Sequence, residues 1–135
     1  MSLTIQQANM IIEKAIETAQ TEFERPICVA ICDQYGFLMA FSRMDEAPIR
    51  CIDIAQNKAY TAARMEINTD TFLARLRREE IPAEFFCDAR LIGMPGGSVL
   101  KDKAGKVQGG VGISGLAPLE DQALAQRLAI LLQKI

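Results

Sequence analysis

The sequence predicts an α+β fold in which helices cover an antiparallel sheet, and three observations lead there. Apolar residues recur at three- and four-residue steps near both ends of the chain and in its middle, the period of helices with one buried face. Two pairs of short apolar runs are each joined by a polar turn containing Gly, the pattern of antiparallel hairpins. Consecutive hairpins do not make the right-handed parallel crossover of a dinucleotide-binding fold, so the glycines near the C-terminus are no Rossmann fingerprint.

Each element has its own signal. Thr4 as N-cap and Gln7 three residues on form a capping box, and Ala8, Ile11, Ile12, Ala15, Ile16, Ala19 and Phe23 give the helix behind it a broad apolar face. Pro26 follows it, and ICVAICD, ending at Asp33, reads as an interior strand. A turn at Asp33-Gln34-Tyr35-Gly36 leads into FLMAFSR, Phe37 to Arg43. Beyond Met44 to Pro48, residues Ile49, Ile52, Ile54, Ala55, Ala59, Ala62 and Ala63 predict a second helix ending near Asn68, whose alanines imply close packing. Thr69 or Asp70 caps a shorter helix carrying Phe72, Leu73 and Leu76, which Pro82 stops; the region of Phe85 to Cys87 is open between a helical turn and a loop. Arg90 to Gly93 and Ser98 to Leu100 read as extended pieces around the bend MPGG. The turn Asp102 to Gly105 then precedes a strand from Lys106 to Ile113, and a final helix runs from about Leu119 to Leu132. One helix pair is expected on each face of the sheet.

Composition narrows the function. The 135 residues suit one domain, 1–135, large enough for its own core. A net charge of −2 with both signs mixed provides no basic nucleic-acid surface. No run of about eighteen apolar residues can span a membrane, and MSLTIQQANM lacks the regions of a signal peptide, so a cytoplasmic protein is expected. There is no His, which removes the usual neutral-pH base and imidazole ligand. Cys28, Cys32, Cys51 and Cys87 have no zinc-site spacing, so no metal is expected; Cys28 and Cys32 share a strand face as buried thiols.

The stretch VQGGVGISG, Val107 to Gly115, holds four glycines in and after a strand, and glycine there permits close backbone approach or positive φ. A ligand, a partner chain or the protein's own backbone fits against it. Lys58 lies among Ala55, Ala59 and Ala62 on a face suited to burial, so it needs a partner. One reading sends its amine to Asp45 or to solvent. Another joins it with Arg43, Asp45 and the backbone N–H groups of Gly110, Gly112 and Gly115 into a site for a small carboxylate or phosphate. Met94 with Met39, Met44 and Phe86 would line an apolar cavity for a plate-like ligand. Ser114 in GISG is not a nucleophile elbow, and no His can activate it.

These pieces together resemble the GlcG and HbpS haem-binding family, which includes the C-terminal domain of PduO-type corrinoid adenosyltransferases. The matching segments are PICVAICDQYGFLMAFSRMDEAPI, IAQNKAYTAAR, GMPGGSVL, and KVQGGVGISG followed by EDQALA. The resemblance implies a profilin-like five-stranded antiparallel sheet flanked by helices, and assembly into dimers or larger homo-oligomers. It also implies haem as a cofactor in some members, through His ligands, and a place beside enzymes of glycolate, glycerol or diol metabolism. Glu46 stands where the family pattern R-M-D-G-A has Gly.

Three functions follow as expectations. The first is an oligomeric accessory protein binding a small ligand, haem or an anionic metabolite, in a cleft between the helices and the glycine-rich strand, beside a metabolic enzyme. The second is an enzyme for a small hydroxy- or oxo-compound with Lys58 as its catalytic residue. The third is a homo-oligomeric scaffold without a ligand.

Overall fold

The computed structural model describes residues 2–135. Its helices are α1 (Ile5–Thr18), α2 (Cys51–Met65), α3 (Thr69–Glu79) and α4 (Pro118–Lys134), and its strands are β1 (Cys28–Asp33), β2 (Leu38–Arg43), β3 (Gly97–Lys101) and β4 (Val107–Ser114). The capping box at Thr4 and Gln7 is present. Asn68 stands at the N-cap position of the third helix, without a side-chain cap bond, so Thr69 and Asp70 lie inside the helix.

The sheet has four strands in the order β2-β1-β4-β3, and neighbours are antiparallel. This corrects the expected profilin-like sheet of five strands. The piece that fails to become a strand is Arg90 to Gly93, whose amides are engaged elsewhere. Leu91 N–H donates to the Asp88 carbonyl at 3.2 Å, and Ile92 N–H to Thr61 Oγ1 on α2 at 2.9 Å. The free edge of β3 is taken up by Asn68, whose Oδ1 accepts from Val99 N–H at 3.0 Å and from the Ser98 hydroxyl at 3.1 Å. With these donors satisfied, nothing draws a further strand into the ladder.

Alternation divides β1 between two cores. Val29 and Ile31, with Val111 and Ile113 of β4, join Ile11, Ile12, Leu124 and Leu128 in a large aliphatic core under α1 and α4. Cys28, Ala30 and Cys32 face the other way and meet Cys51, Ala55, Ala59 and Ala63 of α2. Every side chain in that second group is small, and β4 contributes none at Gly110 and Gly112. A Cβ on Gly110 would overlap the Ala59 carbonyl, and one on Gly112 the Ala55 carbonyl. The helix backbone therefore rests directly on the strand, so the chain's own backbone occupies this stretch of the glycine face.

Glu46, in the turn between β2 and α2, adopts φ 69°. That left-handed conformation costs a side-chain-bearing residue about 1 kcal/mol and costs Gly little, which accounts for the Gly in the family pattern. Replacing Glu46 by Gly is expected to stabilise the fold by no more than about 0.5 kcal/mol in urea denaturation, since the entropy of an unfolded Gly offsets much of the relief. Gly112→Ala has the opposite sign: with backbone on both sides of the new methyl, a loss of at least about 2 kcal/mol is expected in the same measurement.

Candidate functional site

The alanine face of α2 turns Lys58 towards the sheet, where its side chain is fully buried. The ammonium donates to the Ile113 carbonyl at 2.8 Å and to Asp121 Oδ2 at 3.2 Å. Asp121 lies early in α4 and is also buried; its Oδ1 accepts from Leu116 N–H at 3.0 Å. The pair thus joins α2 to α4 across the end of β4. This corrects the expected partner of Lys58: Asp45 is exposed in the β2–α2 turn, and the amine does not reach solvent.

Burial dominates the electrostatics of both groups. It draws the Lys58 ammonium below the usual amine range, against the pull of the Asp121 charge and hydrogen bond. It pushes the Asp121 carboxyl up to about 6, against Lys58 and the Leu116 amide. The bend Met94 to Gly97 closes over the pair. Gly96 takes φ 130°, and a Cβ there would stand 2.5 Å from Lys58 Nζ. Beside it, Gln122 Oε1 accepts from Gly96 N–H at 2.6 Å, its Nε2 donates to the Gly97 carbonyl at 3.0 Å, and Thr69 Oγ1 accepts from Gly97 N–H at 2.8 Å. Every buried side-chain nitrogen and oxygen among the described residues has a partner. A lysine in this state has the desolvation of a catalytic amine, and both of its bonds are to groups of the protein itself.

The remaining residues singled out from sequence are distributed as follows. Arg43 is exposed and lies directly opposite Cys28, which on its other side faces Ser114, so β2, β1 and β4 present these three in one row. Arg43 opposes the burial that raises the Cys28 thiol to about 11. Gly115 takes φ 134° and packs against the Pro26 carbonyl. Met44 and Met39 pack on the core under α1 and α4, and Met44 Sδ accepts from Ile27 N–H at 3.3 Å. Phe86 instead meets Phe72 of α3 edge to face at 5.6 Å, and Met94 is half-buried in the bend. Met39 and Met44 thus share one core, while Phe86 is engaged with α3, so the expected plate-like cavity is not assembled from them.

The donor set does not fit haem held through imidazole. The chain has no His; Cys28, Cys32 and Cys51 are buried, and burial raises the Cys32 thiol to about 12. Among the described residues no group of three His, Cys, Asp or Glu side chains is placed to hold a metal ion. No helix among them is long and apolar enough to cross a membrane. Asp121, Gln122 and Thr69 escaped the sequence reading as members of the Lys58 neighbourhood. The acidic start of α4 was visible, but the partner 63 residues away carries no local signal.

Residues 3–129 match the family described as "Haem degrading protein HbpS-like", and the chain belongs to that family. It is similar in structure to Klebsiella pneumoniae protein ORFY, with a TM-score of 0.87 and 26% identity over 98% of this chain and 92% of that one. It is similar also to PduOC crystallised as a haem complex, with a TM-score of 0.85 and 27% identity over 98% of this chain and 95% of that one. A Citrobacter freundii relative, an uncharacterized 15.0 kDa protein from the dhaT-dhaS intergenic region, is 29% identical over 84% of this chain and 80% of its own length.

Replacing Lys58 by Met strands the Asp121 carboxylate and is expected to cost about 3 to 5 kcal/mol in urea unfolding. Adding Asp121→Asn, which keeps an acceptor for Leu116, is expected to recover part of that loss. A second expectation concerns pH. The folded pKa of Asp121 lies above its ordinary value of 3.8, so the folded state holds that proton more tightly than the unfolded chain does. Its stabilising contribution is complete below pH 3.8 and is lost as pH rises through about 6. The unfolding free energy of the wild type should therefore fall relative to Asp121→Asn across that window.

Proposed function

We propose that this chain is an accessory protein that binds a small anionic ligand without bond-making chemistry. The ligand is a carboxylate metabolite of glycerol, diol or glycolate metabolism, or haem held by its propionates rather than by an iron-bound imidazole. The observation that carries the non-catalytic reading is the state of Lys58, whose ammonium is bonded to Asp121 and Ile113 beneath a closed bend. A catalytic lysine needs a lone pair facing an open cavity. Family membership and the PduOC haem complex support a ligand-binding role with haem among the ligand classes. Arg43 and Asp45 are the sequence-selected polar residues that remain exposed, and Arg43 has no carboxylate within 4.0 Å among the described residues. Arg43 would take the anion, with Asp45 and Gly115 bordering it.

The scaffold reading is favoured by a different feature. Strand β2 is an edge of the sheet, Phe37 just before it and Leu38 at its start are 70% and 53% exposed, and no charge interrupts Phe37 to Ser42. Edge strands without charge invite pairing with another chain.

Native mass spectrometry of protein taken directly from cells separates the two: a retained small-molecule mass is expected, and subunit assembly with no added mass would replace binding by scaffolding. Titration with haem, followed by absorbance, then identifies the class. A saturable change that weakens at least about fivefold in Arg43→Ala, the loss of one charged contact, supports propionate capture. A featureless titration leaves the carboxylate metabolite.

A further inference from the structure

At the far end of α2 from Arg43, a second cationic group is built around Tyr60. Its ring is almost buried beneath Gly36 of the β1–β2 turn, where a Cβ would stand 2.8 Å from the ring edge. The hydroxyl donates to Asp88 Oδ2 at 2.5 Å. The guanidinium of Arg90 lies over the ring, its Cζ 4.1 Å from the centroid, and that of Arg64 lies 5.3 Å from the same point. Arg90 Nε donates to Asn57 Oδ1 at 3.2 Å, and its backbone N–H to Asp88 Oδ1 at 3.1 Å. Arg64 Nη1 has a long contact to the Tyr35 carbonyl at 3.5 Å.

Neither arginine has a carboxylate within 4.0 Å among the described residues. Asp88, whose charge both arginines feel, is committed to the Tyr60 hydroxyl and the Arg90 amide. Ring stacking and Asn57 hold Arg90 by its face and its Nε, so its two terminal nitrogens remain as a fixed fork. A guanidinium held in one pose loses less side-chain freedom on capturing an oxyanion than a mobile one does. Beside Arg64 the surface dips into a hollow of about 220 Å³ lined by Gln34, Tyr35, Ala63 and Glu66. Glu66 also lines that hollow, and its charge opposes an anion there, so the two guanidinium groups have to outweigh it.

We propose that Arg90, fixed against Tyr60, and Arg64 over the same ring form a binding site for a small oxyanion, a phosphate or carboxylate group. This site is separate from the Arg43 end and does not depend on the function proposed above. The probes are inorganic phosphate and succinate, added separately at constant ionic strength while 1H–15N NMR spectra are recorded on the whole chain. A saturable shift of the Arg90 Nε resonance and of the amides of residues 88–90 is expected with at least one probe. Affinity should fall at least tenfold in Arg64→Gln/Arg90→Gln and stay unchanged in Arg77→Gln, which alters an exposed arginine of α3. Saturation by phosphate alone or by succinate alone sustains the site and names its group. Arg90→Lys, which keeps the charge and loses the fork, should bind more weakly than the wild type. The proposal is overturned if neither probe produces a saturable shift at these positions, or if the double variant, with its other cross-peaks in place, binds as the wild type does.

Discussion

The contact of helix backbone with strand backbone, α2 on β4 and the start of β3, is the constraint to which the rest of the molecule is fitted. Glycines supply the strand side of it, and the α2 carbonyls that meet them follow in helical order: Ala55 against Gly112, Lys58 against Gly97, Ala59 against Gly110. Each glycine Cα–H points at a carbonyl oxygen, so many weak contacts replace the side-chain interlock of an ordinary helix–sheet layer. Such an interface has no slack. The face of β1 beneath α2 is accordingly limited to Cys28, Ala30 and Cys32, and the bulky aliphatic residues are all assigned to the opposite face with α1 and α4.

Close approach also explains why a lysine is tolerated in the middle of α2. With no side chains between helix and strand, the Lys58 stem runs along the sheet to the end of β4 and delivers its charge to one acceptor from the strand and one from α4. Buried ion pairs are poor sources of net stability, since desolvation offsets much of their attraction. What this pair adds is registration. A shift of α4 relative to α2 would leave two charges unmatched in a dry interior, a larger penalty than any aliphatic mismatch there. The Gln122 and Thr69 bonds to Gly96 and Gly97 extend the same fixing to the bend before β3.

Much of the fold was legible because its signals are local. The capping box at Thr4, the two hairpins, the alanine face of α2 and the single face shared by Cys28 and Cys32 all follow from period and turn chemistry. The fifth strand was misread because Arg90 to Gly93 has strand-like residues while its amides go to Asp88 and Thr61, a choice set by tertiary neighbours. The need of Lys58 for a partner was legible from burial, but the partner's identity was not, since Asp45 is close in sequence and Asp121 is close only in space. The grouping of Tyr60, Asp88 and Arg90 was not legible for the same reason: 28 residues separate the hydroxyl from its carboxylate, and no spacing rule spans that gap.

Complete exclusion of water from one amine has a practical corollary. The chain has six lysines, and Lys14, Lys101, Lys103, Lys106 and Lys134 lie on its surface, open to acylating reagents at all times. Lys58 becomes reactive only when α2 lifts from the sheet. The rate at which a label appears on Lys58 therefore clocks opening of the interior, with an intrinsic probe that requires no engineered tag.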